Sequence, residues 1–318
     1  MSLDLGGSKI AAALVCPDGQ VLSQQSIPTL ADEGVDAVVH RMLAAIDSIS
    51  ARSGQSQSIM AGVAIASAGA IDSSLGLVTH SPNLPGWRDV PLKEMVEKAT
   101  GLDTIVVNDA SAAALGEKCF GAAQGVNNMV WVTVSTGIGA GIMLNGRLYE
   151  GPSGTAGEVG HMTIDVNGPR CSCGNVGCLE LLASGKAVAR EARRLVSQGV
   201  KTKIIEYAEG EMDNISAKTV AEAAQQGDAV ARQVIFKAAS YLGVGLANLV
   251  NILNPEMIVI GGGLSKMGNL LLDPARQVVA ENAFHLPAEK VRIVATQLGD
   301  CAGLLGAAAF AWGFGRPR

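Results

Sequence analysis

Ser135-Thr136-Gly137-Ile138-Gly139-Ala140-Gly141 is the stretch on which the reading of the fold depends. It joins two apolar runs, 129–134 and 141–144, that read as strands. Two hydroxyls and three alternating glycines let backbone N–H groups approach phosphate oxygens with no Cβ in the way. Taken alone, such a turn is also an ordinary glycine-rich hairpin. A second turn of the same kind stands near the start of the chain. Asp4-Leu5-Gly6-Gly7-Ser8-Lys9 lies between strand-like residues 3–5 and 10–15, with an acid at the strand end. Asp4 could orient a hydrated Mg²⁺, which takes few carboxylates and keeps its waters. The spacing of the glycines to Lys9 is wrong for a Walker loop. Two such cradles at matching places are harder to dismiss than one.

Outward from these turns, strand-like and helical runs alternate, the pattern of an α/β protein. Residues 35–52 place Val35, Val38, Val39, Met42, Ile46 and Ile49 on one helical face. Strands are expected at 21–27, 59–66, 104–107, 257–260 and 291–296, and helices at 92–100, 111–120, 180–198, 216–226, 228–253 and 301–312. The 318 residues set a prior of two domains. The repeated pattern gives a first domain at 1–116, a second at 117–300, and a terminal helix in 301–318 packing back on the first.

Composition removes several function classes. A net charge of −5, scattered basic residues and 3% aromatics argue against a nucleic-acid surface. Asp4 and Lys9 interrupt the start, where a signal peptide needs an apolar run. The charge-free stretch between Lys237 and Glu256 carries Asn248, Asn251 and two glycines, so it reads as a core helix and no membrane span is expected. The expected location is the cytoplasm.

Of six cysteines, Cys171, Cys173 and Cys178 crowd into one glycine-rich loop ten residues after His161, while Cys16, Cys119 and Cys301 stand alone. Three thiolates and one imidazole meet the tetrahedral demand of Zn²⁺. Four protein ligands leave no open position, so the expected metal is structural. Redox-active or incidental thiols are the weaker reading.

Asn108-Asp109 ends an apolar run before an alanine-rich helix, a place that faces the ligand crevice in α/β folds. Asp109 can equally be a plain helix N-cap. Glu158 and Glu180 flank the cysteine loop, and carboxylates suit pairs of vicinal hydroxyls. Gly261-Gly262-Gly263 follows a buried strand, a weak signal by itself.

The stretch 134–161, with Gly151, Gly157 and Gly160-His161, resembles the signature of the ROK family of repressors and sugar kinases. The resemblance runs from Asp4 to Gly303-Leu304-Leu305-Gly306-Ala307-Ala308. It implies the actin-like ATPase (ribonuclease-H-like) fold, α/β, with two domains and an interdomain cleft for ATP and sugar. It makes Asp109 the catalytic base and gives Asn108, Gly69, Asn83, Glu158, His161 and Glu180 to the sugar, with Trp87 either a pocket or a packing residue. It gives Asp4, Gly6, Gly7, Ser8, Lys9, Thr136, Gly137, Gly139 and Gly261–Gly263 to the nucleotide. It also implies that His161, Cys171, Cys173 and Cys178 bind zinc. Ser8 stands where the family more commonly has Thr. The implied activity is transfer of the ATP γ-phosphoryl group to the 6-hydroxyl of a hexose, glucose first, in a homo-oligomer (dimer or tetramer). N-acetylmannosamine is the runner-up substrate, and a non-catalytic sugar-sensing protein is the alternative class. Repressors of the family carry a winged-helix domain before this fold, and Asp4 at the very start favours the kinase branch.

Overall fold

The computed structural model describes residues 1–54 and 60–314; the expected strand position Ile59 and the last four residues of the 301–318 segment lie outside them. The chain forms two compact units. The first comprises Met1–Trp131, Gly141–Gly157 and Gln297–Arg318, and the second Val132–Ala140 and Glu158–Thr296.

In the first unit, β1 (Ser2–Leu5), β2 (Lys9–Val15) and β3 (Val21–Pro28) form an antiparallel meander. Helix α1 (Val35–Ser53) returns the chain so that β4 (Val63–Ser67) pairs parallel with β1. A small sheet follows, made of β5 (Ala70–Asp72), β6 (Leu77–His80) and β7 (Arg88–Val90). Helix α2 (Leu92–Thr100) then leads to β8 (Thr104–Asn108), parallel to β4, and α3 (Asp109–Phe120). The sheet order is β3-β2-β1-β4-β8.

Period-two alternation in β2 explains how this sheet is covered on both faces. Ile10, Ala12 and Leu14 join Val38, Met42 and Ile46 of α1 in one core. Ala13 and Val15 point the other way, to Leu304, Leu305 and Ala308 of the closing helix. Registers put Leu5 level with Ser67 and Ser67 level with Asn108. The turns after three adjacent parallel strands therefore share one edge of the sheet, the edge where α/β folds bind ligands.

The remaining strands and helices are β9 (Met129–Val134), β10 (Ile138–Leu144), β11 (Arg147–Leu148), α4 (Leu179–Ala183), α5 (Gly185–Ser197), α6 (Ile204–Tyr207), α7 (Ala217–Gln225), α8 (Ala229–Leu253), β12 (Met257–Gly261), α9 (Asn269–Asn282), α10 (His285–Lys290), β13 (Arg292–Ala295) and α11 (Ala302–Ala311). The second sheet has the order β11-β10-β9-β12-β13, and the unit boundary falls within β9 and β10. Helices α4, α5, α7 and α9 pack around α8. Among the described residues, α8 is the one helix long and apolar enough to cross a membrane. Leu242, Leu246 and Val250 along it are fully buried, which is the burial of a core helix.

Four expectations need correction. The first unit runs past residue 116, because the buried Glu117 side chain accepts from Gln297 and Leu298 N–H at 3.0 Å each. The strand expected from 141 starts at Ile138, so Gly139 and Gly141 are strand residues. A side chain at Gly141 would meet the Ala110 carbonyl of α3. The helix expected over 180–198 breaks at Ser184, whose hydroxyl caps α5 through Ala187 N–H at 3.3 Å. Finally, Gly261 closes β12 and Gly262 turns the chain at φ 80° before a short 3-10 helix.

Candidate active site

The candidate residues fall into two groups, one in each unit. In the first unit, Gly6 N–H donates to the Lys9 carbonyl at 3.0 Å and closes the β1–β2 turn. Thr29 grips this turn from outside, its hydroxyl donating to the Gly6 carbonyl at 2.7 Å and its N–H to the Ser8 carbonyl at 3.1 Å. Nothing in the sequence flags Thr29, because its partners are backbone carbonyls of a turn more than twenty residues away. Ser8 and Lys9 are exposed. Gly7 lies directly against Asn83: a Cβ there would stand 2.5 Å from the Asn83 carbonyl oxygen. The backbone of a sugar-side candidate thus touches a phosphate-side candidate.

Asn108 is the N-cap of α3, accepting from Ala110 and Ser111 N–H, while its amide donates to the Gly69 carbonyl at 3.1 Å. Asn108 holds the N-cap position, and Asp109, the first helical residue, shares the Ala110 N–H, which also donates to Asp109 Oδ1 at 2.8 Å. Gly69 needs its φ of 114°, and a side chain there would run into His80 and Ser81. Trp87 is a core residue, packed with Leu84 and Val90. Asp4 lies against Gly303 in the first turn of α11, where a Cβ would come within 2.9 Å of its carboxylate. Burial, then the Asp109 carboxylate, push the Asp4 carboxyl up to about 7; Asp300 adds to this and Lys9 opposes it.

In the second unit, the loop 135–138 is folded tightly, with Ser135 N–H donating to the Gly137 carbonyl at 2.9 Å. Thr136 is exposed at its tip, and Gly139 lies inside β10. Gly262 meets the same region from below: a Cβ there would lie 2.6 Å from the Val134 carbonyl oxygen. Gly263 has no such constraint. Gly160 packs under the Ile138 carbonyl and brings the short helix Val159–His161 against the start of β10.

His161, Cys171, Cys173 and Cys178 converge, with all four ligand atoms within 4.8 Å of one another. Cys173 Sγ is 3.7 Å from Cys178 Sγ, and Cys171 Sγ is 3.9 Å from His161 Nδ1. A tetrahedral ion with bonds of about 2.3 Å sets its sulfur ligands ~3.8 Å apart, so the residues fit Zn²⁺. Burial opposes ionisation of Cys171, yet Cys173, Cys178 and His161 hydrogen bonds bring its thiol down to about 7. Burial, with the other two thiols beside it, pushes Cys178 up to about 12. A bound cation would relieve that crowding. His161 presents Nδ1 to the sulfurs, and its Nε2 lies 3.8 Å from the exposed Glu158 carboxylate. Glu180 is the surprise: its Oε2 accepts from Ile138 N–H at 2.9 Å and covers Gly137.

The family model described as ROK family matches residues 1–313. A glucokinase of Halalkalibacterium halodurans is 38% identical over 96% of this chain and 92% of its own. A putative xylose repressor of a Caldicellulosiruptor species is also 38% identical, over 97% of this chain and 77% of its own. Among solved structures, a ROK family glucokinase from Streptomyces griseus in complex with glucose and AMPPNP superposes with a TM-score of 0.88 at 36% identity, covering 98% of each chain.

Proposed function

The chain belongs to the ROK family, and from that premise we propose that it is an ATP-dependent hexose kinase acting at the 6-hydroxyl, with glucose its first substrate. The observation that carries the reading is Asp109. It stands just past the end of β8 on the same sheet edge as the Asp4–Lys9 turn, where one of its oxygens accepts from Ala110 N–H and Asn108 holds the N-cap position. Its carboxylate would accept the 6-hydroxyl proton as that oxygen bonds to the γ-phosphorus and the bond to the ADP oxygen breaks.

Gly6, Gly7, Ser8, Lys9, Thr136, Gly137, Gly139 and Gly261–Gly263 would hold the nucleotide. Asp4 would orient hydrated Mg²⁺, which supplies charge neutralisation on the transferring phosphates. Gly69, Asn83, Asn108, Glu158, His161 and Glu180 would hold the sugar. Asn108 has one amide hydrogen left for this after bonding Gly69. Zn²⁺ on His161, Cys171, Cys173 and Cys178 would be structural, fixing the His161 ring with Nε2 turned away from the metal. The enzyme would work in the cytoplasm as a homo-oligomer.

An ADP-release assay over a panel of hexoses tests the reading. N-acetylmannosamine belongs in the panel because the cysteine loop resembles that branch too. Asp109→Asn should retain sugar binding and lose ~10²–10⁴ in kcat. Near-normal turnover by that variant, or no turnover of any sugar by the wild type, would overturn the assignment.

A further inference from the structure

The cysteine loop and the second glycine loop are joined by a short path through α4. Cys178 immediately precedes α4, and the following N–H, of Leu179, donates to the Met162 carbonyl at 2.9 Å. Leu179 is fully buried and fills the space left by Gly245 on α8, where a Cβ would come within 2.5 Å. Helix α4 is thus fixed from behind by the metal-ligand loop and from below by the core. From that position it grips the loop 135–138 at two points. Glu180 Oε2 accepts from Ile138 N–H at 2.9 Å, and Gly185 N–H, just past the far end of α4, donates to the Ser135 carbonyl at 2.7 Å. Any side chain at Gly137 would strike the same Glu180 oxygen.

We propose that Glu180 is a positioning residue for the second glycine loop, and that through it the cysteine loop governs the nucleotide side of the reaction. This rests on the kinase reading, in which residues 135–138 receive phosphate. A loop that presents N–H groups to phosphate must hold them in one arrangement before the ligand arrives. The Ile138 N–H is held by a carboxyl oxygen at 2.9 Å, and bonds from backbone N–H to side-chain carboxylates are among the strong ones. One Glu180 oxygen is therefore committed to the loop and the other is left for sugar. A carboxylate that touches both would make sugar and nucleotide sense the same element.

The test uses full-length, zinc-loaded protein without sugar, since Glu180 is also assigned to the sugar. Backbone hydrogen exchange at residues 135–138 and binding of AMPPNP are measured for wild type, Glu180→Asp and Glu180→Gln. Aspartate keeps the charge and loses the reach; glutamine keeps the reach and an acceptor oxygen. The expected result is exchange at Ile138 faster by about tenfold in Glu180→Asp, with AMPPNP bound about tenfold more weakly, and a smaller loss in Glu180→Gln. Chelation of the wild type should speed exchange at Ile138 in the same way. Wild-type exchange and affinity in Glu180→Asp, or a larger loss in Glu180→Gln, would overturn the proposal. A wild type that binds no AMPPNP overturns the kinase reading instead, and does so before any variant is made.

Discussion

Asp4 is destabilising where it stands. Its place at the end of β1, against α11 and near Asp109, raises its carboxyl to about 7 in the folded chain, from about 4 when unfolded. Between those two values the folded protein holds a proton that the unfolded chain has already released. Stability from this group is therefore complete below pH ~4, is lost as pH rises through ~7, and changes no further above that. Asp4→Asn should be more stable than wild type at pH 8, on the order of a few kcal/mol without Mg²⁺, and indistinguishable at pH 4. Thermal melts across that range check this; an equal difference at both ends would mean that charge is not the cause. The acid and its two glycines are legible in the sequence because they adjoin. So is the metal-ligand set, whose three cysteines lie within eight residues. The second role of Glu180 is not, because its partner N–H is 42 residues away and belongs to the backbone.

At the scale of elements, α3 and α11 cross with their backbones in contact. A Cβ at Gly306 would strike the Ala112 carbonyl, and one at Gly116 would strike the Ala302 carbonyl. The alanine-rich sequence of both helices reads as helical, but which small residues meet depends on the crossing and not on either helix alone. The same limit explains the misplaced start of β10. Gly139 and Gly141 look like turn glycines, yet Gly141 is there because α3 approaches the strand. Gly306→Ala should separate α11 from α3 and cost about 1–3 kcal/mol, whereas Ala311→Gly, at the half-buried end of the same helix, should cost about 1 kcal/mol or less from propensity. Denaturant midpoints for the two variants separate packing from propensity. A Gly306→Ala variant as stable as wild type would show that the crossing is loose.

For the molecule as a whole, the difficulty is that the first unit is assembled from three separate stretches of chain, the last beginning at Gln297. One side chain stitches two of them together. Glu117, near the end of α3, is fully buried, and its Oε1 accepts from both Gln297 and Leu298 N–H, 180 and 181 residues away. Its Oε2 accepts from Ala122 N–H at 2.7 Å, so the same carboxylate also turns the chain out of α3. Three N–H groups, partly accessible to water, lose a buried carboxylate acceptor in Glu117→Ala, and each such loss is worth up to about 1–3 kcal/mol. The expected destabilisation is about 3 kcal/mol or more. Glu117→Gln keeps the oxygen that serves Gln297 and Leu298 but turns an NH₂ toward Ala122 N–H, so it should lose less, about 1–3 kcal/mol. Urea unfolding of both variants measures the difference, and faster exchange at Gln297 and Leu298 in Glu117→Ala but not in Glu117→Gln would locate it. If Glu117→Ala unfolds at the wild-type midpoint, the return segment is held by the packing of α11 on α3, and the carboxylate is incidental to it.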